Sequence, residues 1–202
     1  MTNVEKTRLI KGVQEAVAVL EVENLLCRQQ VQKSAATFSP TNFNSFRELL
    51  HLIWWLIALE SYGDAQRLLD ALCEVNDEFY WMFEWLGATF AARAWLHSQQ
   101  GETEASQLNA SELLHCLARD PNAKSLRVSE YRKALERCDI WYASAEKDKS
   151  VKSSASSLCT ALILLALYQQ AAHASAEQEQ VQSYEEHIAA ALTLLKQKLI
   201  DK

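Results

Sequence analysis

Glycine and proline are scarce in this chain, with four and two among 202 residues. β-rich folds spend both residues freely on turns, so the shortage excludes a hairpin-rich sheet protein and favours an almost wholly helical one. Long apolar runs are missing as well. The longest, Leu52–Leu59 and Ala161–Tyr168, fall far short of the roughly 18 residues a membrane-spanning helix requires. The N-terminal MTNVEKTRLIKG has no apolar segment of the secretory kind. The five cysteines (Cys27, Cys73, Cys116, Cys138, Cys159) are odd in number and contain no Cys-x-x-Cys pair. They read as buried, reduced thiols. A cytoplasmic protein with no membrane contact is the resulting expectation.

Catalytic signatures are absent too. There is no Gly-x-Ser-x-Gly elbow, no His-Glu-x-x-His and no glycine-rich phosphate loop. Cys116 adjoins His115, but helical neighbours point about 100° apart and do not form a thiol–imidazole pair. His97, His173 and His187 sit among polar residues and read as solvent-exposed. The chain is read as a non-enzyme without a cofactor.

What the chain does have is aromatic and acidic, and it is concentrated. Asp77–Leu96 (DEFYWMFEWLGATFAARAWL) carries seven aromatics in twenty residues. Such a helix, apolar on nearly every face, has to be wrapped by others. From Glu60 to Ala92 there are seven acids against Arg67 alone, a net charge of −6 that equals the net of the whole chain. From Arg119 to Lys152 nine bases face six acids. An acidic field repels phosphates and attracts basic partners, so direct nucleic-acid binding is disfavoured.

Apolar spacing and caps predict a long helix from Val4 to about Ala35, broken by Pro40, and a second at about 46–61. Ser45-Phe-Arg-Glu48 has the form of a capping box for that second helix. Gly63 is expected to close it, and Asp64 to cap a short helix over 65–75. The aromatic helix follows, ending at Gly101, then helices at 104–118, 129–147, 157–174 and 184–200. Ser150–Ser157 and Gln178–Gln182 read as connections. Segments 55–72 and 94–113 form a faint repeat, with Gly63 and Gly101 lying 38 residues apart. The expected fold is all-α: about eight antiparallel helices in one domain over 1–202. They form an irregular helical-hairpin globule, tetratricopeptide-like, around the central aromatic helix. Softer boundaries fall near 119–128 or 148–156.

Two motifs, Glu48-Leu-Leu-His51 and Glu112-Leu-Leu-His115, have the Glu-x-x-His spacing of di-metal carboxylate bundles. Glu84 is one candidate lone ligand, and Glu15 or Glu23 the other. Against this, an antiparallel first helix would put Gln30–Lys33 level with Glu48, leaving Glu23 about 12 Å or more away. Glu84 and Arg93, nine positions apart, lie on opposite sides of their helix and each needs a partner elsewhere. The most promising binding cluster is Glu74, Asp77, Glu78, Tyr80 and Trp81. Its aromatics offer contact area at little entropic cost, and its carboxylates steer a basic partner.

Through Cys73–Trp85, CEVNDEFYWMFEW, and through its small, acidic, all-helical profile, the chain resembles helical immunity proteins of bacterial contact-dependent or polymorphic toxin systems. That resemblance implies a non-enzymatic inhibitor that masks the active site or substrate surface of a basic, nuclease-type toxin domain. The competing readings are a tetratricopeptide-like adaptor that binds a peptide or helix, and a helical di-metal carboxylate protein.

Overall fold

From Leu49 to Ala58 every side chain except His51 is buried, and a helix with no polar face can only lie inside a bundle. The computed structural model describes residues 2–74, 83–119, 151–174 and 178–200, with side chains throughout these spans except at 83–85, 115–119, 151–154, 171 and 174. Among the described residues the secondary structure is entirely helical, in eight helices. They are α1 (Asn3–Ala18), α2 (Leu25–Ala36), α3 (Phe43–Ala58), α4 (Tyr62–Cys73), α5 (Phe83–Gln99), α6 (Thr103–Arg119), α7 (Val151–Ala174) and α8 (Gln178–Ile200). The helix expected over 129–147 lies outside the described residues.

The expected first helix is two helices. Residues 19–24 break it, and the reason lies more than forty positions downstream. The side chain of Asp64, buried to 2% exposure, accepts hydrogen bonds from the backbone N–H of Glu21 (3.0 and 3.1 Å) and of Val22 (2.8 Å). The Ser61 hydroxyl donates to it at 2.7 Å, and Arg67 pairs with it at 2.8 Å. Arg28 in turn donates to the Val22 carbonyl, and Asn24 caps α2 through the Cys27 N–H. Asp64 therefore holds another segment's backbone and does not cap its own helix, where Ser61 is the N-cap.

The start of α3 is also corrected. Asn42 caps it by accepting from Asn44 and Ser45 N–H. Ser45 lies inside the helix and receives the Ser39 N–H. Further along, Ser150–Ser157 and Gln178–Gln182 were expected to be connections, but α7 is helical from Val151 and α8 from Gln178. Polar sequence at a helix end does not stop the helix without a breaker, and neither segment contains glycine or proline.

Gly63 lies within α4. The chain reverses at Glu60, whose φ is +61°. Around it, Ser61 N–H bonds to the Leu56 carbonyl and Glu60 N–H to the Ile57 carbonyl, the double bond of a Schellman ending. The α5–α6 turn repeats this pattern. Gly101 has φ +75°, Glu102 N–H bonds to the His97 carbonyl and Gly101 N–H to the Ser98 carbonyl. The two hairpins thus correspond with Glu60 on Gly101, 41 positions apart, and the glycine-to-glycine register of 38 is wrong. The same offset pairs Trp54 with Trp95, whose rings touch at 5.7 Å between centroids. A Cβ at Gly101 meets nothing within 4 Å, so a substitution there is penalised by backbone strain alone. Gly101→Ala should lower unfolding free energy by about 1 kcal/mol, and Glu60→Gly should change it less, since relief of strain offsets the added chain entropy. Urea titrations of both variants check this.

The hairpins pack around α3, which touches α2, α4, α5, α7 and α8; α5 touches α3, α4, α6 and α7. The centre is thus shared between the aromatic helix and α3. Helices α1 and α4 pack together on one flank, and α7 lies against both α3 and α5. No described helix is long and apolar enough to cross a membrane.

Candidate functional site

Of the acidic–aromatic cluster, Glu74 is described: it is exposed, at the end of α4, and pairs with Arg8 of α1 at 3.2 Å. Asp77, Glu78, Tyr80 and Trp81 lie outside the described residues. The other acids of the Glu60–Ala92 stretch whose side chains are described are matched by bases, two of the three from outside the stretch. Glu60 bonds to Lys196 of α8, Asp64 pairs with Arg67, and Asp70 pairs with Arg93 at 2.5 Å. Arg93 has therefore found the partner on another helix that its position required. The field that looks uncompensated along the chain is partly compensated in space.

The metal-type motifs come apart. Glu48 and Glu112 are exposed, and the side chains of Glu84 and His115 are outside those described. Among the described residues no three His, Cys, Asp or Glu side chains cluster as metal ligands would. Glu48 and His51 do share a pocket of about 280 Å³, but with Arg47, Asn44, Trp55 and Ser156, and a guanidinium is a poor neighbour for a cation.

His51 is the most perturbed group there. Its ring lies 3.5 Å from Ser156 Oγ through Nδ1 and 3.5 Å from Thr160 Oγ1 through Nε2. Burial, and after it the charge of Arg47, lower its pKa from 6.5 to about 4. The imidazole is neutral at pH 7, and the Ser156 contact is too long and too weakly supported to activate a nucleophile. The consequence is for stability. Below pH 6.5 the unfolded chain takes up a proton that the folded chain refuses until about pH 4. Stability present above pH 6.5 is thus lost as the pH falls through that window, by about 2 kcal/mol once the pocket's access to water is allowed for. Unfolding midpoints at pH 7 and pH 4.5 should show this loss in the parent chain, and His51→Gln should flatten it.

His97, expected on the surface, is buried at 8% exposure. Its Nδ1 meets Glu102 Oε2 at 2.6 Å, and its Nε2 lies 3.5 Å from the carboxamide nitrogen of Gln66, which also donates to Asp70 at 2.7 Å. With the proton on Nδ1, each ring nitrogen is engaged, so this carboxylate–imidazole pair ties α5 to its turn and leaves no nitrogen for a substrate. The expected burial of the cysteines holds for two of the three whose side chains are described, Cys27 and Cys159. Burial, and after it the Asp64 charge, push the Cys27 thiol up to about 12, and burial raises Cys159 as well. Such thiols are poor nucleophiles. Cys73 is half-buried, Cys138 lies outside the described residues, and the side chain of Cys116 is not described.

A second cavity, of about 510 Å³, opens between the α5–α6 turn and the α7–α8 hairpin. None of the residues singled out for binding or metal ligation lines it. Its signal in the sequence is Gln169-Gln170, two amides directly after the apolar run Ala161–Tyr168. Comparison with family models, characterised proteins and solved structures gives no match to this chain.

Proposed function

We propose that this chain is a non-enzymatic binding protein that neutralises a basic, nuclease-type toxin domain by covering its active site or substrate surface. One observation carries the reading. Within the acidic stretch, Glu60, Asp64, Asp70 and Glu74 are matched by internal bases, which concentrates the reading on Asp77, Glu78, Tyr80 and Trp81. Two carboxylates beside two aromatics combine steering with sealed contact area. The packing of α7 on both α3 and α5 counts against an adaptor that takes a peptide along those two helices.

The test is to co-express the adjacent reading frame with and without this chain. Growth arrest by the neighbour, relieved by this chain, supports the proposal; a harmless neighbour and no basic protein on co-purification defeat it. Replacing Asp77 and Glu78 together by lysine should weaken the complex at least about tenfold, chiefly by slowing association. Glu74→Lys should do less, because Glu74 is engaged with Arg8. Surface plasmon resonance at two salt concentrations measures both.

A further inference from the structure

The cavity at the α5–α6 turn has walls of an unusual kind. Its lining comes from four helices and is mostly carboxamide and hydroxyl, with Ser106 and Gln107 on α6 facing Gln169 and Gln170 on α7. The charged or ionisable groups among the described lining residues are Glu185 and His173; Lys, Arg, Phe, Tyr and Trp are not among them. Gln169 and Gln170 are 4% and 5% exposed. Carboxamides are seldom buried this deeply without full hydrogen bonding.

Gln169 is not fully bonded. Its Oε1 is out of reach of water, from the cavity as well as from bulk solvent, and has no hydrogen-bond partner. A buried acceptor left unmatched opposes folding, and in native proteins such a group calls for an explanation. The side chain lines a cavity of about 510 Å³, within the range of small-molecule sites. A turn about the last side-chain bond, which exchanges oxygen and nitrogen, is the movement that would present the acceptor to that space.

We propose that this cavity binds a small neutral molecule rich in O–H or N–H donors, of the polyol or sugar class, with Gln169 as its buried anchor. The wall chemistry sets the class. Among the described lining residues no lysine or arginine is present to pair with a phosphate or carboxylate, and Glu185 repels one. His173 is the one ring among the described lining residues, so a nucleobase finds no broad stacking platform of the Phe, Tyr or Trp kind. Alternating amides and hydroxyls both donate and accept, which matches a polyhydroxylated ligand and rejects an apolar one. The described lining shares no residue with those proposed to bind the protein partner, and failure of this proposal would leave that one standing.

Isothermal titration calorimetry on the full chain, with myo-inositol, trehalose and N-acetylglucosamine as probes, tests it. One of the three should give saturable 1:1 heat with Kd below about 1 mM, and glucose 6-phosphate should bind at least about tenfold more weakly than that probe. Ala110→Trp fills the cavity from the α6 wall without removing a polar group, and should abolish the heat. Gln169→Leu should abolish it too, and should raise the melting temperature of the unliganded chain by removing the unmatched acceptor. No saturable binding by any of the three probes overturns the proposal, as does binding unchanged in Ala110→Trp. Equal binding of glucose 6-phosphate overturns the assigned ligand class.

Discussion

Replacing Asp64 by alanine destabilises the folded chain by about 3–5 kcal/mol, the largest loss expected of any single polar substitution here. The magnitude follows from what the carboxylate holds. Its side chain is 1% exposed, and it accepts from two consecutive backbone N–H groups in the 19–24 connection as well as from Ser61 and Arg67. Alanine offers no acceptor and opens too little room for water to reach all four donors. The buried Val22 N–H is then orphaned, at about 1–3 kcal/mol by itself, and the charge-assisted bonds of its neighbours are lost with it. Arg67→Ala removes the half-exposed partner but leaves Asp64 its three other donors, and should cost less, about 1–2 kcal/mol. Urea denaturation gives both numbers, and hydrogen exchange locates the effect, since the Glu21 and Val22 amides should lose protection first. A loss below about 1 kcal/mol in Asp64→Ala, the size of an ordinary surface substitution, would sink this account.

That hub also explains why one part of the fold could be read from the sequence and another could not. The burial of α3 was legible because Leu49–Ala58 has almost no polar residue to turn outward. The hairpin character of 55–72 and 94–113 was legible as well. The break at 19–24 was not, because apolar spacing runs straight through it and the group that unwinds it is Asp64, far along the chain. The turn at Glu60 was missed for a related reason: a left-handed residue is expected to be glycine, and here a glutamate takes that conformation while its carboxylate bonds to Lys196. The candidate site shows the same limit. Charge counted along 60–92 gives −6, whereas Arg8, Arg93 and Lys196 reach in from outside that window to pair with three of its acids. Helix periodicity is a local property. Partner choice among charges is not, and His97 does not announce its burial in its immediate neighbours.

The Trp54–Trp95 contact offers a sharper test of the repeat than any sequence alignment of its halves. Trp54 is fully buried and Trp95 is 5% exposed; their rings are tilted at 52°, with centroids 5.7 Å apart. Each indole N–H is buried without a hydrogen-bond partner, so these side chains contribute through ring area and packing and carry a polar penalty with it. Trp54→Ala should therefore cost about 3–5 kcal/mol through lost burial and the cavity left behind. Trp54→Phe should cost much less, about 1 kcal/mol, because it keeps most of the ring and deletes the unmatched N–H. Trp95→Phe should behave alike if the 41-residue register is right, since the two positions are then equivalent places in equivalent hairpins. The pair should also be coupled: in a double-mutant cycle Trp54→Ala and Trp95→Ala should depart from additivity by about 0.5–1.5 kcal/mol, the range for aromatic contacts. Additive losses, or a phenylalanine variant as damaged as the alanine one, would mean that the indole N–H groups are bonded after all and that the rings do not pack as a pair. The contact joins α3 to α5, and through it the two hairpins share one core.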